Sequence, residues 1–216
     1  MPRDIEQATS YEKAIPIIDH RESLQGLKYL RGELEQRYPD PTKVSVVPIL
    51  RGGIIVGKYV ARKKYQLNPM QMSHTNSDNT FSPFARCLQE PDYKKKILRT
   101  DGGTNAVAFT DAVAETQDSI LRAMEVIRRG IDLINANNGF SYAYPEFLTL
   151  ILAAKFGDNQ IEIPGLINAF DVNPGIWLFG WGCDDKQRGR KVKQLMGTLS
   201  PYATEIPQKP YYKRLF

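Results

Sequence analysis

Four short apolar runs constrain this chain more than any other feature. They lie at residues 43–50 (Lys-Val-Ser-Val-Val-Pro-Ile-Leu), 106–110, 147–154 and 176–183, and residues 70–75 add a more polar one. Runs of five to eight residues rich in β-branched and aromatic side chains read as buried strands. Helical patterns separate them. Leu24, Leu27, Leu30 and Leu34 recur at three- and four-residue spacing across residues 20–38, and Pro39-Asp40-Pro41 stops that helix. Residues 54–65 and 119–129 give two more helices. Buried strands alternating with helices predict an α/β fold with a mainly parallel central sheet flanked by helices. Ligands bind such sheets at the carboxyl ends of the strands.

Composition narrows the class. The chain has 216 residues, 42% apolar and 25% charged, which suits one soluble globular domain. No apolar run approaches the roughly 20 residues that span a bilayer. Met1-Pro2-Arg3-Asp4-Ile5-Glu6 carries acids where a secretory signal needs an apolar stretch, so a cytoplasmic, reducing location is expected. Two cysteines (Cys87, Cys183) and two histidines (His20, His74) exclude a disulfide scaffold and argue against a zinc or histidine-built metal site. Residues 186–216 hold eight Lys/Arg and one acid, a net +7 within a chain of +5, so the remainder is net −2. This basic end suits a nucleic acid or a polyphosphate, or is a solvated tail. Residues 76–103 interrupt the pattern with Asn76-Ser77-Asp78-Asn79-Thr80, two prolines, a lysine triplet and Asp101-Gly102-Gly103. They read as a long polar loop, a lid or a disordered excursion.

Three strand-end segments carry candidate chemistry. Leu50-Arg51-Gly52-Gly53 lets backbone approach an anion at a helix start, with Arg51 as a cation; a plain strand-to-helix turn is the alternative, and the motif alone is a weak signal. Residues 111–118 read as a polar turn, in which Asp111 and Glu115 suit sugar hydroxyls or a proton, while Thr116 and Ser119 suit a phosphate. Thr116 or Asp118 also fits as a cap of the next helix. Trp177-Leu178-Phe179-Gly180-Trp181-Gly182-Cys183-Asp184, followed by Arg190, offers a ring to stack on a planar ligand and an acid for a metal or amino group; core tryptophans and a surface acid pair are the alternative.

In this order the segments resemble the type I phosphoribosyltransferases, and most of all their 6-oxopurine branch (hypoxanthine, guanine or xanthine). The branch has Leu-Lys-Gly-Gly where this chain has Leu50-Arg51-Gly52-Gly53. Its hood sequence runs aromatic, aliphatic, any residue, Gly-Tyr, two residues, Asp, five residues, Arg. Trp177 through Asp184 and Arg190 keep that spacing. Lys155 stands where the branch has a base-reading lysine. The resemblance covers about residues 40–195. The chain departs from it in the phosphoribosyl motif: Thr110-Asp111 replaces an acid pair, one residue is added among Ala112-Val113-Ala114, Gln117 stands for Gly, and Asp118 adds a negative charge.

The resemblance implies a single domain with a helical extension at 1–40, a mobile lid at 76–103, and a hood strand with a basic segment at 176–216. It implies transfer of ribose 5-phosphate from phosphoribosyl pyrophosphate to a nucleobase with Mg²⁺, in purine salvage, by a homodimer or higher homo-oligomer. Arg51, Gly52 and Gly53 would bind pyrophosphate, and Thr116, Asp118 and Ser119 the 5′-phosphate. Asp111 would bind ribose hydroxyls directly or through Mg²⁺, and Glu115 would accept the base proton. Lys155, Trp177 and Leu178 would hold the base. Asp184 would bind Mg²⁺ or an exocyclic amine, and Arg190 would complete the hood's substrate contacts. The degenerate acidic motif and the basic end also fit a regulator or nucleic-acid-binding protein of the same fold without turnover.

Overall fold

The computed structural model describes residues 14–50, 52–75, 81–93, 97–98, 106–114, 117–139, 141–155, 163–181, 194–199 and 212–216. A short strand, β1 (Ile15–Ile18), leads to Asp19, which caps α1 (His20–Arg37). The Asp19 carboxylate accepts from the Glu22 amide at 2.7 Å, and the Asp19 amide donates back to Glu22 Oε2 at 3.3 Å. This reciprocal pair satisfies donors that the first turn would leave open. Leu27, Leu30 and Leu34 are buried as the spacing requires, and a 3₁₀ turn at Pro41–Lys43 redirects the chain.

Then follow β2 (Val44–Leu50), α2 (Gly53–Ala61), β3 (Gln66–Leu67), β4 (Met70–Thr75), β5 (Phe81–Gln89), β6 (Ala106–Ala114), α3 (Asp118–Asn138), β7 (Glu146–Ala154), β8 (Leu166–Val172), β9 (Ile176–Phe179), β10 (Leu195–Leu199) and β11 (Tyr212–Arg214). The main sheet runs β11-β8-β7-β6-β2-β4-β5, with β3 beside β2. The pairs β2–β4, β2–β6, β6–β7 and β7–β8 are parallel, while β4–β5 and β8–β11 are antiparallel. A separate antiparallel three-stranded sheet, β1-β10-β9, holds the strand that the resemblance reads as the hood strand.

The central strands face two cores. Val44 and Val46 of β2, Ala108 of β6 and Leu148, Leu150 and Leu152 of β7 pack with Leu27, Leu30, Val56 and Val60 from α1 and α2. Val47, Ile49, Val107, Phe109 and Ile151 pack on the opposite face with Ile120, Met124, Ile127 and Ile131 of α3. Strands buried on both faces are continuously apolar, which is why the sequence displays them so plainly. Ile18, Ile176, Leu178 and Leu195 extend the first core into the hood. Among the described residues no helix is long and apolar enough to cross a membrane.

Several expectations need correction. The polar excursion at 76–103 contains β5, which pairs with β4 through Met72–Cys87 and Ser73–Arg86. Its Pro83 is tolerated because β5 is an edge strand. Residues 111–114 are strand and not turn, because Val113 and Ala114 continue the ladder to Ala153 and Ala154. α3 runs to Asn138, well past 129, and ends on Gly139 in left-handed conformation. β9 stops at Phe179, where Gly180 turns at φ +106 and a Cβ would stand 2.1 Å from the Gln194 carbonyl oxygen. The basic end is not wholly a solvated tail: β11 joins the sheet, Tyr212 donates to Glu22 at 2.6 Å, and Arg214 pairs with the same carboxylate.

Candidate active site

β2, β6 and β7 are parallel neighbours, so the chain leaves their carboxyl ends along one edge. Gly52-Gly53, residues 111–114 and Lys155 therefore gather there. The Lys155 amide donates to the Ala114 carbonyl at 2.9 Å, joining the ends of β6 and β7, and the Lys155 side chain is 7% exposed.

The glycine turn is pressed onto β6. A Cβ on Gly53 would stand 1.9 Å from the Thr110 carbonyl oxygen, and one on Gly57 would stand 2.5 Å from the Pro48 ring. Glycine at both positions lets α2 lie directly against β2 and β6. Thr110, fully buried, donates its hydroxyl to the Gly53 carbonyl at 3.0 Å. The residue standing in place of a family acid thus holds the glycine turn.

Asp111 lies just past this contact. The residue is half-buried, and that burial pushes its pKa from the ordinary 3.8 up to about 7. The Ala112 amide, donating to Oδ1 at 2.7 Å, and the Val113 amide pull in the opposite direction. Such a group is poised between donating and accepting at neutral pH.

The helix starts on this edge differ from that of α1. Among the described residues, neither Gly52 before α2 nor Gln117 before α3 makes a side-chain cap bond. First-turn amides without a cap, together with the helix dipole, favour an anion. Asp118 is not the cap: its Oδ2 accepts the Ala85 amide of β5 at 2.6 Å. Ser119 Oγ lies 3.1 Å from Nε2 of His74, a residue that sequence reasoning used only to exclude a metal site.

In the hood, Leu178 is buried and its position pairs with Gly197, and Trp177 pairs with Thr198. Trp181, at φ +48, stacks on His20 with centroids 5.7 Å apart. Arg51, Glu115, Thr116, Asp184 and Arg190 lie outside the described residues.

No protein-family model matches the chain, and no curated protein matches it in sequence. Solved structures do match. A hypoxanthine phosphoribosyltransferase from Staphylococcus aureus is 13% identical with a TM-score of 0.65, over 94% of this chain and 99% of that one. A hypoxanthine-guanine phosphoribosyltransferase from Bacillus anthracis is 13% identical with a TM-score of 0.61, over 86% and 97%. The chain has the type I phosphoribosyltransferase fold. A hypoxanthine phosphoribosyltransferase variant from Trypanosoma cruzi, solved as a ternary substrates complex, agrees at 14% identity and TM-score 0.61, over 88% and 98%. Within this fold, α2 and α3 begin next to the segments to which the sequence resemblance assigns pyrophosphate and the 5′-phosphate.

Mg²⁺ keeps several waters and takes one or two carboxylates together with substrate phosphates. Asp111, whose Cα lies 3.3 Å from where a Cβ on Gly53 would stand at the start of α2, offers one carboxylate to that donor set.

Proposed function

We propose that the chain is a phosphoribosyltransferase that joins ribose 5-phosphate from phosphoribosyl pyrophosphate to a ring nitrogen of a 6-oxopurine and releases pyrophosphate. One observation carries the reading: two helix starts without a side-chain cap among the described residues follow the carboxyl ends of adjacent parallel strands, and the Asp111 carboxyl stands at the end of one of those strands, beside Gly53. A donor with a diphosphate at one end and a phosphate monoester at the other matches two anion sites flanking a sugar-binding acid.

The base nitrogen bonds to C1 of the ribose as the C1–oxygen bond to pyrophosphate breaks, and the nitrogen loses its proton. Arg51 and the Gly52 and Gly53 amides receive the pyrophosphate. Thr116 and Ser119 receive the 5′-phosphate, beside Asp118. Asp111 accepts from the ribose hydroxyls, and Glu115 accepts the base proton. Lys155 and the Leu178 backbone read the base edge, Trp177 stacks on its face, and Arg190 closes the hood. Mg²⁺, held by Asp111 and Asp184, would neutralise the charge that builds on the leaving pyrophosphate. The lid expected at 76–103, with β5 as its strand, would cover the donor and exclude water, since the transition state carries an electron-poor ribose. A homodimer is the expected assembly.

Arg51→Ala tests the reading. It should raise the KM for phosphoribosyl pyrophosphate by about tenfold or more and leave the base KM nearly unchanged. An unchanged donor KM would remove the glycine turn from the site.

A further inference from the structure

Two side chains fasten the β4–β5 hairpin to the first turn of α3. The Ala85 amide donates to Asp118 Oδ2 at 2.6 Å. His74, half-buried on β4, reaches across with Nε2 3.1 Å from Ser119 Oγ and 3.8 Å from Asp118 Oδ2. Its Nδ1 lies 3.1 Å from the Ser82 carbonyl oxygen on β5. A carbonyl only accepts, so Nδ1 carries a proton and the role of Nε2 is what varies.

The two ring states treat Ser119 differently. In the neutral ring, Nε2 accepts the Ser119 hydroxyl proton, and the serine turns lone pairs toward an incoming anion. In the charged ring, Nε2–H donates to Ser119 Oγ, and the serine proton is free to be donated to that anion. Asp118, 3.8 Å away, balances the added charge.

A second observation points to an anion here. Gln117 sits at the N-cap of α3, 5% exposed, and its amide oxygen has no hydrogen-bond partner among the described residues. Turned about its last bond, the same amide presents an N–H donor at that place. A buried amide with no partner among the described residues, at a helix start, suits a ligand rich in acceptors.

We propose that His74 is a positioning residue for a phosphate monoester at the start of α3, acting by aiming the Ser119 hydroxyl proton at the phosphate. The hairpin thereby supplies part of the donor site, and Asp118 has the separate task of tying the hairpin down. The added negative charge in the phosphate turn is then directed to Ala85 and His74, away from the phosphate. This rests on the phosphoribosyl-transfer reading, which identifies the monoester as the 5′-phosphate.

Calorimetric titration of ribose 5-phosphate into the full chain tests it, with pyrophosphate as the comparison ligand. His74→Ala should weaken ribose 5-phosphate binding by roughly three- to tenfold, through the loss of the hydrogen bond that orients Ser119. Pyrophosphate binding should stay within about twofold, because its site is at α2. Ser119→Ala should cause a similar loss, and the double variant should lose no more than the worse single one. Should His74→Ala melt the hairpin, His74→Gln carries the test, since its amide N–H still reaches a hydroxyl and should restore most of the affinity. Wild-type binding that His74→Ala leaves unchanged, or single losses that multiply in the double variant, would overturn the assignment while leaving phosphoribosyl transfer standing. A wild-type chain that binds pyrophosphate and not ribose 5-phosphate would overturn both.

Discussion

Replacing Gly53 by alanine tests the packing that builds the glycine turn. The new Cβ would stand 1.9 Å from the Thr110 carbonyl oxygen, 2.9 Å from its carbonyl carbon and 3.3 Å from the Asp111 Cα. All three atoms are backbone of a central strand paired on both sides, so they cannot yield. Ordinary contact begins near 3.4 Å, and the start of α2 must therefore lift by about 1.5 Å. That movement breaks the 3.0 Å bond from Thr110 to the Gly53 carbonyl and leaves a fully buried hydroxyl unpaired. An unpaired buried hydroxyl costs about 1–3 kcal/mol and the overpacking about as much again. The better helix propensity of alanine returns about 1 kcal/mol. The net loss is about 1–5 kcal/mol, a fall in Tm of roughly 2–20 °C for a chain of this size. Thermal unfolding followed by circular dichroism reads it. Gly32→Ala is the control, because a Cβ there meets nothing within 4 Å and helix α1 should gain slightly. The displaced turn should also bind phosphoribosyl pyrophosphate more weakly. A Gly53→Ala chain with wild-type Tm and wild-type donor KM would refute the argument.

Two further outcomes concern pH. Asp111 binds its proton more tightly folded than unfolded, so in metal-free buffer its contribution to stability should be full below pH 3.8 and fall as pH rises toward about 7. Asp111→Asn should remove that slope and melt higher than wild type at pH 8, the gap being at most about 4 kcal/mol; parallel Tm profiles for the two proteins would contradict the burial of the carboxyl. Glu22 behaves oppositely. Burial pushes its pKa up, but hydrogen bonds from Tyr212, Arg214 and the Asp19 amide outweigh burial and hold it below 4.5. Its contribution is present above 4.5 and is lost as pH falls through the lowered value. Glu22→Gln should therefore cost about 1 kcal/mol at neutral pH, with the difference closing in acid, as denaturant titrations at each pH would read.

What the sequence displayed and what it hid follow from burial. β2 and β7 are covered on both faces, so burial alone dictates an unbroken apolar run, and α1 declares itself through one leucine stripe. β5 and β11 are edge strands. Phe84 and Leu88 of β5 point outward and Lys213 of β11 is exposed, so neither shows a core pattern. β8 escaped notice because Asn168 and Asp171 interrupt it; Asn168 bonds to Asp171 at 2.6 Å on its outer side. The glycine turn and Lys155 were legible as strand-end residues. The tasks of Thr110, Asp118 and His74 were not, because each depends on a partner 33 to 57 residues away. Thr110 stood out only as a missing acid, and the reason emerges when its hydroxyl meets Gly53.

Phosphoribosyl transfer itself is tested most directly by nucleotide formation. The chain would be incubated with phosphoribosyl pyrophosphate and Mg²⁺ and, in turn, hypoxanthine, guanine, xanthine and other nucleobases. The account predicts a nucleotide with at least one 6-oxopurine, one pyrophosphate released for each nucleotide made, and no release without a base. A folded chain that makes no nucleotide with any base, and instead retards DNA or RNA with a steep dependence on salt, would contradict it and mark the fold as serving regulation.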